Sequence, residues 1–115
     1  YTTLFRSDYV GIVSGNNTPD KMQKAGFTVE KSKFVDAPVI NELPLVLECK
    51  FLKIAEEGNI IGEIVNINAD ERILDEKGNI DITKLRPISY EPVHHGYYVI
   101  GEKVGQAFSD GKSLK

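Results

Sequence analysis

Hydrophobic and polar positions alternate most clearly between residues 45 and 69. In the first arm Leu45, Leu47, Cys49 and Phe51 fall on one side, and Val46, Glu48, Lys50 and Leu52 on the other. A period of two is what a pleated strand imposes. The second arm carries Ile60, Ile61, Ile64, Val65 and Ile67, the β-branched bulk that strands favour. Glu56, Glu57, Gly58 and Asn59 lie between the arms, and Gly58 and Asn59 accept positive φ in a tight connection. The pattern predicts an antiparallel hairpin with one buried face, against which the rest of the chain packs.

Elsewhere the pattern is shorter. Residues 8–13 (DYVGIV) read as the last turns of a helix, with Gly15 as its C-cap inside the punctuation Ser14-Gly15-Asn16-Asn17-Thr18-Pro19. Thr18, Pro19 and Asp20 have the order of an N-cap, a first-turn proline and a first-turn acid. They predict a short helix over 20–24 closed by Gly26. Residues 27–35 predict a short edge strand, and Val39 to Leu43, bracketed by Pro38 and Pro44, a single helical turn. Residues 70–87 form a polar excursion anchored by Ile73, Leu74, Ile80, Ile82 and Leu85. Two further strands follow, 88–90 and 97–104, and a polar tail pinned by Phe108. Residues 1–7 show no periodicity, and the chain opens without methionine. The domain is therefore expected to span 8–115, with 1–7 set apart as a segment not native to it. Several strands joined by turns, with only short helices, predict a mainly β protein, a small antiparallel barrel or sandwich.

Composition narrows the function classes. With 115 residues the chain is about one domain. A net charge of -3 with scattered basic residues gives no basis for nucleic-acid or anionic-membrane binding. No apolar run approaches the roughly 20 residues of a bilayer crossing. The single cysteine, Cys49, excludes an internal disulfide and fits a reducing, cytoplasmic setting. Its place on the apolar side of a strand predicts a buried, inert thiol.

Familiar catalytic arrangements are missing from the sequence. It has neither a phosphate loop nor a dinucleotide fingerprint. His94 and His95 stand together in a loop, without the further ligands that zinc needs. The acid pairs Glu56/Glu57 and Asp70/Glu71 fall in turns, where solvated carboxylates are ordinary. Tyr90, Tyr97 and Tyr98 combine an apolar ring with a polar tip and suit either a core or the wall of a pocket for a flat ring. Lys21 is a candidate anion contact or simply a solvated charge.

Three blocks then acquire meaning by their order: DYVGIVSG with Asp20-Lys21; ECKFLKI followed by IIGEIVNINADERIL; and Pro87-Ile88-Ser89-Tyr90 with YYVIGE and Gly111-Lys112. Together they resemble the flavin reductase family with the FMN-binding split-barrel fold, particularly its flavoredoxin-like members. The resemblance covers nearly everything from Asp8 onward. It implies a partial split β-barrel corresponding to the carboxyl-terminal portion of the family's domain, the first strands and much of the phosphate loop lying in the missing amino-terminal part. It implies FMN as cofactor, with Ser14 and Gly15 in a loop near the flavin and Lys21 approaching its phosphate or ring. Asn59 takes a position often filled by histidine, and Tyr90 and Tyr98 would contact the isoalloxazine. It also implies a homodimer with flavin at the subunit boundary.

The function so implied is electron transfer between NAD(P)H or a redox partner and a flavin, an NAD(P)H:FMN oxidoreductase once completed by the amino-terminal part. Asparagine at 59 can hydrogen-bond a flavin but not titrate near neutrality, so no proton role is expected there. Two alternatives stay open: a non-catalytic flavin-binding electron carrier, and a cofactor-free β-barrel interaction module.

Overall fold

The computed structural model describes residues 2–114, the side chains of residues 2, 3 and 113 apart. Tyr1, part of the segment set apart in the sequence, lies outside the described residues. In order the elements are α1 (Thr2–Ile12), α2 (Lys21–Lys24), β1 (Val29–Lys31), β2 (Pro38–Ile40), β3 (Leu45–Ile54) and β4 (Ile60–Ala69). A 3-10 turn (Glu71–Ile73), α3 (Ile82–Leu85), β5 (Ile88–Glu91), β6 (Gly96–Val99) and a second 3-10 turn (Asp110–Leu114) complete them. Among the described residues the strands form three antiparallel pairs, β1–β2, β3–β4 and β5–β6, and no closed barrel. None of the described helices is long and apolar enough to cross a membrane. The chain divides into two compact units, Tyr1–Arg72 and Ile73–Lys115.

The first unit is built on the predicted hairpin. Ala55 N–H donates to Asn59 O (2.8 Å) and Gly58 N–H to Ala55 O (2.9 Å), with Gly58 at φ +82. This is the three-residue hairpin loop in which a left-handed glycine completes the turn. Two register shifts interrupt the ladder, between Glu48 and Cys49 and between Phe51 and Lys53. They have a purpose visible in the spacing: Ile64 and Ile67 are three residues apart, as are Phe51 and Ile54. On an unbroken pleat each pair would split across the faces; one extra residue in each strand prevents this. Leu45, Leu47, Cys49, Phe51 and Ile54 therefore oppose Ala69, Ile67, Ile64, Gly62 and Ile60, all on one face.

That face was expected to be buried, and it is not. Phe51 is 66% exposed and Ile60 75%, and Leu47, Ile54, Ile64 and Ile67 are likewise exposed. Cys49, expected to be buried and inert, is exposed with them. The physical reason is that nothing among the described residues packs over this face. The buried residue of β3 is instead Glu48, 4% exposed, on the opposite face.

Around the hairpin the observed elements refine the expected ones. Residues 2–7, which carry no periodic signal, belong to α1. This helix is held by tertiary ties: Arg6 Nη1 donates to Gly26 O (3.3 Å), and its guanidinium lies 5.8 Å from the centre of the buried Phe27 ring. Helix α1 ends before Gly15, which is a turn residue and not its C-cap. The N-cap of α2 is Asp20, without a side-chain cap bond, in place of Thr18. Its C-terminus closes as expected at Gly26 (φ +72): Phe27 N–H bonds Met22 O and Gly26 N–H bonds Gln23 O, both at 2.9 Å, a Schellman arrangement.

The segment expected to make one helical turn begins instead as β2. Its register with β1 sets Val29 against Ile40 and Lys31 against Pro38, a strand-end position where a missing N–H costs no ladder bond.

In the second unit, Ile73 is the buried anchor of the polar excursion. Its turn repeats the hairpin loop: Asp75 N–H donates to Asn79 O (2.8 Å), Gly78 N–H to Asp75 O (3.0 Å), and Gly78 sits at φ +80. Asp81 caps α3 through Thr83 N–H at 2.8 Å. The last strand is shorter than expected, ending at Val99 and not Val104. Its partner β5 has only four residues, and Ile100 N–H makes the final bond to Pro87 O (3.0 Å). The tail is not pinned by Phe108, which is 98% exposed.

Candidate functional site

The six residues singled out in the sequence fall into separate groups. Ser14, Gly15 and Lys21 share one turn of the first unit. The Lys21 ammonium donates to Val10 O (2.9 Å) and Val13 O (3.1 Å), the free carbonyls at the end of α1. Its aliphatic stem lies 3.9 Å from where a side chain at Gly15 would begin. Ser14 Oγ accepts from Asn16 N–H at 3.3 Å, and Ser14 O accepts from Asn17 and Thr18 N–H. Lysine thus neutralises the negative end of the helix while spending two of its three donors. One ammonium donor and the Ser14 hydroxyl proton are left for an anion.

Asn59 stands on another element, at the β3–β4 loop. Its backbone carbonyl closes that loop, the same job that Asn79 performs in the second unit. Turn chemistry therefore accounts for an asparagine after Gly58 without reference to its side chain.

Tyr90 and Tyr98 belong to the β5–β6 hairpin of the second unit. The register opposes Tyr90 to Tyr97 and Ser89 to Tyr98, so the two predicted contacts point to opposite faces. Tyr90 is 51% exposed. Its ring lies 5.7 Å from that of Tyr97 and 6.1 Å from that of His95. Tyr98 covers Gly96: a Cβ there would meet its ring at 2.8 Å. Glycine at 96 is what lets the Tyr98 ring lie down on the strand.

Sequence reasoning missed a polar cluster on the other face of the β3–β4 hairpin. Glu48 accepts from the side-chain amides of Asn66 and Asn68, the latter at 2.9 Å. Hydrogen bonds from Ser32, Asn66 and Asn68 hold its carboxyl below its ordinary pKa. Buried Ser32 in turn accepts from Phe34 and Val35 N–H (2.9 and 3.0 Å), shaping the β1–β2 loop. A groove of about 520 Å³ borders the cluster, lined by Lys31, Lys33, Phe34, Asn68 and Asp70 among others. The signal was the alternation of Asn66 and Asn68 opposite an acid on an otherwise apolar ribbon. Among the described residues no group of His, Cys, Asp and Glu could hold a metal ion.

No protein-family model matches the chain. Solved structures do. Flavoredoxin of Desulfovibrio vulgaris (Miyazaki F) superposes with a TM-score of 0.86 at 40% identity, over 93% of this chain and 58% of that one. Flavoredoxin from Methanosarcina acetivorans gives 0.80 at 32% identity, over 94% and 57%. The chain has the split-barrel fold of these flavoredoxins, over the part of them that it spans.

The chain also shares its fold with an FMN-binding domain of a flavin reductases-like enzyme from Shewanella baltica OS155. There the TM-score is 0.65 at 21% identity, over 86% of this chain and 55% of that one. An uncharacterized protein of Aquifex aeolicus (strain VF5) is 39% identical over 83 residues, 67% of this chain and 42% of that protein. The chain thus spans about half the length of the proteins it matches.

Each unit, taken by itself, carries part of the chemistry that a flavin mononucleotide accepts. The turn of Ser14, Gly15 and Lys21 retains a cationic donor and a hydroxyl for a phosphate. The half-exposed Tyr90 ring offers a face for a planar heterocycle.

Proposed function

We propose that this chain is the carboxyl-terminal portion of an FMN-binding oxidoreductase of the flavin reductase type, moving electrons between NAD(P)H or a redox partner and a flavin. The observation that carries the reading is the flavoredoxin likeness over 93% of the chain at 40% identity, joined to a Lys21 that keeps a donor in hand. When bound, FMN supplies the redox chemistry. The chain's task is to bind it: in the first unit Lys21 and Ser14 offer donors to a phosphate, with Gly15 keeping the turn open, and in the second unit Tyr90 offers its face to a planar ring. Tyr98 and Asn59 take secondary places, since turn geometry and strand packing already explain much of their setting. Preceding strands of the same domain cover the open β3–β4 face, and the working protein is a homodimer.

FMN titration of the chain and its Lys21→Ala variant tests the assignment. Loss of one charge-assisted bond weakens binding about tenfold. Circular dichroism separates this loss from unravelling of α1, whose end Lys21 also caps. Unchanged affinity in a folded variant removes Lys21 from the site. NAD(P)H oxidation with added flavin then divides a reductase from a carrier.

A further inference from the structure

The turn between β5 and β6 is more closely built than a surface loop requires. Glu91 organises it, its carboxylate accepting from Val93 N–H (2.5 Å) and His94 N–H (2.9 Å) and lying 3.1 Å from His94 Nδ1. His95 follows at φ +57, a left-handed conformation uncommon for any residue with a Cβ. The flexible residue, Gly96, sits next to it and does not take that conformation; its place is dictated by the Tyr98 ring lying over it. The strained position is therefore occupied by the imidazole. The consequence of the conformation is reach: His95 Nδ1 lies 2.5 Å from Tyr90 Oη, five residues back along the chain. The His95 and Tyr90 rings incline by 28°, and Tyr90 meets Tyr97 at 55°.

Strain held at a special φ, with a specific side-chain bond as its product, points from the outlier to a role. We infer that His95 is a positioning residue: it engages the Tyr90 hydroxyl and fixes the phenol so that Tyr90 presents its ring face, not its oxygen, to a planar ligand. This rests on the reading of Tyr90 as a flavin contact. A half-exposed tyrosine without such a tether samples several rotamers, and ordering one of them on binding costs affinity. His95 settles that ordering before the ligand arrives. His94, turned to Glu91, takes no part.

The test uses His95→Gly, because glycine adopts φ +57 without strain and the fold is preserved while the imidazole is lost. In the chain with 13C-labelled tyrosine, the Tyr90 ring resonances shift in His95→Gly, return toward their original positions on addition of free imidazole, and stay put in His94→Gly. FMN affinity falls about 3- to 10-fold in His95→Gly. The double variant with Tyr90→Ala binds no worse than Tyr90→Ala alone, as required of a residue acting through another. Tyr90 resonances unmoved in His95→Gly overturn the inference. So do losses that multiply in the double variant, and an unchanged FMN affinity in His95→Gly where Tyr90→Ala is weakened; in these cases the flavin reading survives. An unmodified chain that takes up no FMN overturns both.

Discussion

Asp70 accepts three bonds from the Arg72 guanidinium, the shortest at 2.6 Å, and one from Arg72 N–H at 2.8 Å. Hydrogen bonds from the Arg72 side chain, then its backbone, bring the carboxyl pKa from 3.8 to about 2. A depressed carboxylate contributes stability that is complete above its unfolded pKa and is lost as pH falls through its folded one. The window here runs from 3.8 down to about 2. Carboxyl-detected NMR should find Asp70 still ionised at pH 3, and Asp70→Asn should flatten stability between pH 4 and pH 2; an ordinary titration near 3.8 contradicts the pairing.

Arg86 ends α3 at φ 50, a left-handed cap with an exposed side chain. Arg86→Gly removes the Cβ penalty but adds unfolded-state entropy, for a net gain of about 0.5 kcal/mol and a rise of a few degrees in Tm. A fall in Tm would show that the Arg86 side chain is worth more than its strain. Neither effect was legible in the sequence. Asp70 and Glu71 read as solvated turn acids because a carboxylate's partner two residues away makes no pattern, and a left-handed arginine leaves no trace in composition.

At the scale of elements, legibility tracked periodicity. The β3–β4 hairpin was plain from 45 to 69, because its apolar residues recur and Gly58 marks its turn. Its two register shifts were present too, as three-residue gaps between isoleucines. Helix α1 was half missed, since residues 2–7 carry no apolar period and their tie to the rest of the unit, Arg6 to Gly26, spans twenty residues that no local pattern records. Strand β2 looked helical because Pro38 and Pro44 set off a five-residue segment in which a three-residue strand leaves no period. The buried face was mistaken for a different reason: alternation tells which residues share a side, not whether anything covers it.

Cys49 reports on that face. In the folded chain it should react with a neutral thiol reagent within about tenfold of the rate in denaturant. A reaction slowed a hundredfold or more would mean that the apolar face is covered in solution.

For the whole molecule, the resemblance to flavoredoxins was legible from three ordered blocks although each is loose, and structural superposition bears it out over 93% of the chain. The site was legible only in part. Ser14, Gly15 and Lys21 come together because they are close in sequence, whereas Tyr90 and Tyr98 were grouped by residue type and separate by strand register. Equilibrium dialysis of FMN against the purified chain tests the central claim most directly. Retention of FMN with a Kd of about 100 µM or tighter is the predicted result. FMN that distributes equally across the membrane at millimolar protein contradicts it.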